Sequence, residues 1–190
     1  MRLNLPTWLT LLRVLAIPVL VAVLCVGERN PDWLACSIFT AAAITDWFDG
    51  YLARKLNQTS PFGAFLDPVA DKLMVATALV MLVSVDPRLV VVLPAVVIIG
   101  REITISALRE WMAELGQRTH VAVSSIGKYK TTMQLIAIGL MLLKGSFYGY
   151  SVYRLGLACL WVAAVLTVWS MIVYLKAAWP ALMSENTRKT

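Results

Sequence analysis

Six stretches of the chain, residues 8–26, 33–54, 64–85, 89–108, 126–143 and 152–175, approach the roughly 20 apolar residues that a helix needs to cross a hydrocarbon core. Each is bounded by charge or by turn residues, and the fifth is short. Such a chain is expected to fold in lipid, as an all-α integral membrane protein of six transmembrane helices with one domain over residues 1–190. Composition agrees. The sequence is 59% hydrophobic with a mean hydropathy of +0.75, and its 15% of charged residues is well below the roughly 25% of ordinary globular proteins. The first stretch is long for a cleaved signal peptide, holds Arg13 inside it and leads into the second without a small-residue cleavage site. It is expected to remain in the mature protein.

The net charge of +6 follows membrane topology rather than nucleic-acid binding, because the bases sit at the ends of apolar spans. With six spans, one side carries 13 bases: Arg2, Arg13, Arg54, Lys55, Lys72, Arg101, Arg109, Arg118, Lys128, Lys130, Lys176, Arg188 and Lys189. The other keeps Arg29, Arg88, Lys144 and Arg154, which predicts both termini in the cytoplasm. The polar connections 55–60 and 109–130 face that same side, so polar chemistry is expected there. Cys25, Cys36 and Cys159 have no metal or redox spacing and read as buried, inert thiols. His120 is the sole histidine and lacks a ligand partner at metal spacing, and tryptophans such as Trp8, Trp33, Trp47, Trp111 and Trp179 read as interfacial anchors.

Against this apolar background, residues 45–72 hold four aspartates. Asp46, Asp49, Gly50 and Ala53 fall at i, i+3, i+4 and i+7, one face of the second helix. Two carboxylates are followed there by two positions with little or no side chain, where a bulky group can approach the backbone, and Arg54 lies one turn beyond Gly50 within reach of a phosphate. Asp67 and Asp71, at i and i+4, form a second pair at the start of the third helix. If the two faces pack together, the carboxylates converge into a hard, anionic site suited to Mg²⁺ or Mn²⁺. Asp67 precedes Pro68, so a helix N-cap explains it as well as a metal ligand does, and Ser60 before Pro61 offers the same cap. Asp46 and Asp49 lie inside an apolar segment, where an ionisable residue signals function.

The string Asp46-Trp-Phe-Asp49-Gly50-Tyr-Leu-Ala53-Arg54, followed at fixed spacing by Gly63, Asp67 and Asp71, resembles the complete signature of the CDP-alcohol phosphotransferase family. The resemblance implies a six-helix membrane enzyme, usually dimeric, with a two-metal site open to the cytoplasm at the cell (inner) membrane. Carried over, it assigns Asp46, Asp49, Asp67 and Asp71 to two divalent cations, with Asp71 also the general base. It assigns Gly50, Ala53, Arg54 and Gly63 to the diphosphate and nucleotide of CDP-diacylglycerol. Two such ions about 3.5 to 4 Å apart can stabilise both the attacking and the leaving oxygen of an in-line displacement. The opening NLPTWLTLLR also resembles the family's amino-terminal segment, placing Asn4 and Thr10 near the nucleotide. Thr7 as a helix cap and Arg13 as an interfacial anchor fit the same residues.

Residues 100–131 resemble the branch of the family whose acceptor is sn-glycerol 3-phosphate. Arg101 and Arg109, eight positions apart, would flank one helix face, with Lys128 and Lys130 re-entering from the same side. A phosphomonoester needs such cationic partners. Arg118 and Lys130 fit positive-inside topology equally well, whereas Arg101, inside an apolar segment, requires a partner, either Glu102 or a bound phosphate. The expected reaction is phosphatidyl transfer from CDP-diacylglycerol to glycerol 3-phosphate with release of CMP. Serine, inositol or inositol phosphate are the alternative acceptors, and a divalent-cation channel or transporter is the alternative class.

Overall fold

In the computed structural model the backbone is described for residues 5–26, 33–56, 61–114, 125–143, 146–147 and 150–186; side chains at 5–6, 47, 49–56, 61, 64, 125–128, 146–147, 150, 177–178 and 180–186 lie outside the description. Six helices follow one another: α1 (Leu5–Val26), α2 (Trp33–Leu56), α3 (Pro61–Val85), α4 (Leu89–Glu114), α5 (Ser125–Leu142) and α6 (Val152–Asn186). A two-residue hairpin, β1 (Ser146–Phe147) paired antiparallel with β2 (Tyr150–Ser151), joins α5 to α6. Every expected segment is helical. The differences lie at the ends, where α4 and α6 run several residues past the apolar segments because their polar continuations keep helical geometry beyond the last span residue.

Four of the described helices contain a stretch apolar and long enough to cross a membrane: Thr7–Val26, Phe65–Val85, Leu89–Glu114 and Val152–Lys176. In α2 the apolar stretch among the described residues is Trp33–Asp46, and the second half of the helix carries Asp46, Asp49, Arg54 and Lys55. Helix α5 has 18 residues and opens with Lys128 and Lys130. Prolines 18, 68 and 94 lie inside α1, α3 and α4. Transmembrane helices tolerate them because neighbouring groups satisfy the freed carbonyls.

The packing is that of a protein dissolved in lipid. Large apolar side chains such as Leu15, Val19, Leu93, Val96, Val165 and Trp169 face outward, while Arg13, Arg101, Lys130, Gln134, Thr167 and Ser170 are buried. One core joins all six helices through Leu20, Phe39, Leu79, Ile98, Ile138 and Leu160, with alanines 35, 42, 78, 95, 137 and 163 letting backbones approach. Small residues suit such interfaces, because burial from lipid yields little hydrophobic gain and close van der Waals contact must hold the helices. Among the described glycines, Gly156 is the most closely approached: an added Cβ would lie 2.9 Å from the Ala137 carbonyl oxygen of α5. Cys25 is exposed, and Cys36 and Cys159 are half-buried, so the thiols are less enclosed than expected; all three are free. Trp8, Trp33, Trp111 and Trp179 are exposed near helix ends, and the Trp47 side chain lies outside the described residues.

Candidate active site

Helix α1 organises the carboxylates. Thr10 and Arg13, one turn apart and both buried, face α2 and α3. Arg13 Nη1 donates to Asp46 Oδ1 at 2.8 Å and to Asp71 Oδ1, while Thr10 Oγ1 donates to Asp67 Oδ1. Three aspartates from two helices are thus gathered along a single turn of a third. Arg13 is not an interfacial anchor: its side chain is 1% exposed, and the cost of burying a guanidinium is offset by paired carboxylates. Thr7 lies inside α1 rather than at its start. Asp67 sits in the second turn of α3, which begins at Pro61, so it does not cap the helix; Ser60, the other cap candidate, lies outside the described residues. Pro68, inside α3, cannot donate to the carbonyl one turn earlier.

A cavity of about 70 Å³ is lined by Arg13, Asp46, Asp71, Thr131 and apolar groups of α2, α3 and α5. It shares Phe39, Ala43 and Leu135 with a larger groove of about 470 Å³ between α2 and α5, lined by Ile44, Ile136 and Leu140. A charged chamber therefore adjoins an apolar channel on the lipid side. Asp46, Asp67 and Asp71 are hard oxygen donors, the first and last drawn toward the Arg13 guanidinium and Asp67 held by the Thr10 hydroxyl. This donor set fits divalent cations, although among the described residues no three ligating side chains converge on one point. The side chains of Asp49, Gly50, Ala53 and Arg54, and all of Asn4, lie outside the described residues, as do His120 and Arg118. Gly63 is buried at the start of α3.

The second cluster lies at the same end of the bundle, since Thr131 of α5 lines the carboxylate chamber and Lys130 precedes it. Arg101 is 7% exposed; its Nη1 donates to Glu102 Oε1 at 2.9 Å and its Nη2 to Ser170 Oγ at 3.3 Å. Lys130, 2% exposed, donates to the same Glu102 oxygen. Arg109 Nη2 donates to the Tyr174 hydroxyl at 3.0 Å, and the Cζ atoms of Arg101 and Arg109 lie 5.6 and 5.3 Å from the Tyr174 ring centre. The structure thus brings Arg101, Arg109 and Lys130 together, with Glu102 as the partner Arg101 requires; the Lys128 side chain is outside the description. Ser170 and Tyr174 were not foreseen. Their signal is a polar line, Thr167, Ser170 and Tyr174 at i, i+3 and i+7, on one face of the apolar stretch of α6 between Arg154 and Lys176.

The family model for CDP-alcohol phosphatidyltransferases matches residues 3–169, and the chain belongs to that family. The match takes in every aspartate of the site and both arginines of α4. Among curated proteins, the CDP-diacylglycerol--glycerol-3-phosphate 3-phosphatidyltransferases of Escherichia coli (strain K12) and Shigella flexneri serotype 5b (strain 8401) are each 51% identical to it over 185 residues. The similarity covers 97% of this chain and 100% of each relative.

Proposed function

We propose that the protein transfers the phosphatidyl group of CDP-diacylglycerol to the primary hydroxyl of sn-glycerol 3-phosphate, giving phosphatidylglycerophosphate and CMP. The observation that carries this reading is the pairing, at one end of an apolar bundle, of a carboxylate cluster with a cluster of opposite balance. Arg101, Arg109 and Lys130 bring three positive charges against the single negative charge of Glu102, leaving 3 − 1 = +2 in and beside the bundle. A phosphomonoester carries a charge near −2 at neutral pH. Serine or inositol would leave those cations uncompensated.

Asp46, Asp49, Asp67 and Asp71 would hold two divalent cations, Mg²⁺ or Mn²⁺. When bound, these supply positive charge to the attacking and leaving oxygens of the displacement. Gly50, Ala53, Arg54 and Gly63 would receive the diphosphate, and Asn4 and Thr10 would contact the nucleotide. Thr10 also holds Asp67, so α1 links nucleotide contact to carboxylate position. The acyl chains can lie in the groove between α2 and α5 while the headgroup meets the charged chamber. Arg101, Arg109, Lys128 and Lys130 hold the acceptor phosphate, and Asp71 takes the proton from the acceptor hydroxyl as it attacks.

The proposal includes six spans, with α2 and α5 crossing among the other four helices, a homodimer in the cell (inner) membrane, and the site and both termini in the cytoplasm. Arg13, Lys72, Arg101, Arg109, Lys130 and Lys176 lie toward the site end, and Arg88 and Arg154 toward the other, as the positive-inside rule requires. Steady-state kinetics of Arg101→Ala test the division of the pockets. The apparent KM for glycerol 3-phosphate should rise while that for CDP-diacylglycerol holds; a change confined to the CDP-lipid would reverse the two assignments.

A further inference from the structure

We propose that Tyr174 of α6 is a positioning residue for the acceptor phosphate, setting the separation and aim of Arg101 and Arg109. The proposal rests on the reading above, in which those two arginines receive that phosphate.

Arg101 and Arg109 are like charges on one helix and repel each other. Each guanidinium lies within 6 Å of the Tyr174 ring centre, where the negative face of an aromatic ring attracts a cation, and the attraction grows with desolvation. Tyr174 is 5% exposed, so the ring works away from water. Its hydroxyl accepts from Arg109, and Ser170, one turn earlier on α6, accepts from Arg101. Both heads are therefore tied to the same helix. Arg101 Nε is buried and has no hydrogen-bond partner among the described residues. A buried donor without an acceptor calls for a partner, and a bound anion meets that need at a guanidinium. The ring and hydroxyl of Tyr174 hold the two heads together while leaving that donor for the phosphate.

The test varies each substrate in turn with purified protein in detergent–lipid micelles. Tyr174→Leu removes ring and hydroxyl and should raise the KM for glycerol 3-phosphate roughly 10-fold, with the KM for CDP-diacylglycerol unchanged. Tyr174→Phe keeps the ring and should fall between Leu and wild type; it also carries the test if the leucine variant fails to fold. Arg109→Ala should raise the same KM, and the Tyr174→Leu/Arg109→Ala double variant should fall short of the product of the two single effects. A glycerol 3-phosphate KM untouched by both Tyr174 variants, or a rise shared equally by both substrates, would overturn the proposal while a selective Arg109→Ala effect left the acceptor reading standing. An acceptor KM unmoved by both Arg101→Ala and Arg109→Ala would overturn the reading itself and Tyr174 with it.

Discussion

Asp71 meets Arg13 through its Oδ1 carboxylate oxygen, and in the proposed reaction it takes the acceptor's proton. Asparagine retains the shape and an acceptor for Arg13 but cannot take a proton or bind a cation strongly. Asp71→Asn should therefore lower kcat by at least about 100-fold, the usual scale of a lost general base, while thermal denaturation in detergent shows a folded protein. Near-normal turnover would remove Asp71 as the base. At this scale the sequence was informative about identity but not about partnership. The aspartate spacing marked Asp46 and Asp71 as site residues, yet nothing local to Arg13 indicated that it joins them. That contact depends on how α1 lies across α2 and α3, a tertiary property that neither periodicity nor charge encodes. Asp67 shows the converse: its two readings were equal in sequence, and the extra turn of helix from Pro61 removed the cap.

Between elements, the bundle is held by close approach and by a polar latch at the end opposite the site. Gly156 lies against the Ala137 carbonyl and the Met141 backbone, so Gly156→Ala forces α5 and α6 apart. It should destabilise by about 1–3 kcal/mol, read as a lower midpoint of thermal unfolding. Gly139→Ala, where an added Cβ meets nothing within 4 Å, is the tolerated control. In the latch, Asp86 accepts two hydrogen bonds from the Arg88 guanidinium, at 2.7 and 2.6 Å, and one from the Tyr153 hydroxyl at 2.6 Å, tying the α3–α4 turn to the start of α6. The Arg88 bonds hold the Asp86 carboxyl well below the usual carboxylate range. A depressed folded value means that the latch contributes fully above pH about 4 and is lost as pH falls through that lower value. Asp86→Asn should cost about 1 kcal/mol at neutral pH, since much of the pair faces water, and the difference from wild type should vanish in strong acid. Helix positions were legible because apolar runs of this length have few alternatives. The Tyr153–Asp86 latch was not, because its partners lie 67 positions apart.

For the whole molecule, an apolar exterior and a charged interior let one small domain join two phases. On the proposed function, CDP-diacylglycerol would stay in the bilayer with its headgroup at the carboxylates, and the water-soluble acceptor would enter beside the basic cluster. The division between apolar and polar ends was readable from hydropathy and charge, whereas the contacts of α6 with Arg101 and Arg109 were hidden in polar residues of a long apolar run. If the carboxylates act through divalent cations, chelator should abolish turnover and added Mg²⁺ or Mn²⁺ should restore it, with no loss of helical circular dichroism in the chelated protein. The most direct measurement is CMP release and labelled-lipid formation by the purified protein with CDP-diacylglycerol and a panel of acceptors. Glycerol 3-phosphate should support both in equal amounts, far above serine, inositol or inositol phosphate; no product with glycerol 3-phosphate, or a faster reaction with one of the others, would contradict the account.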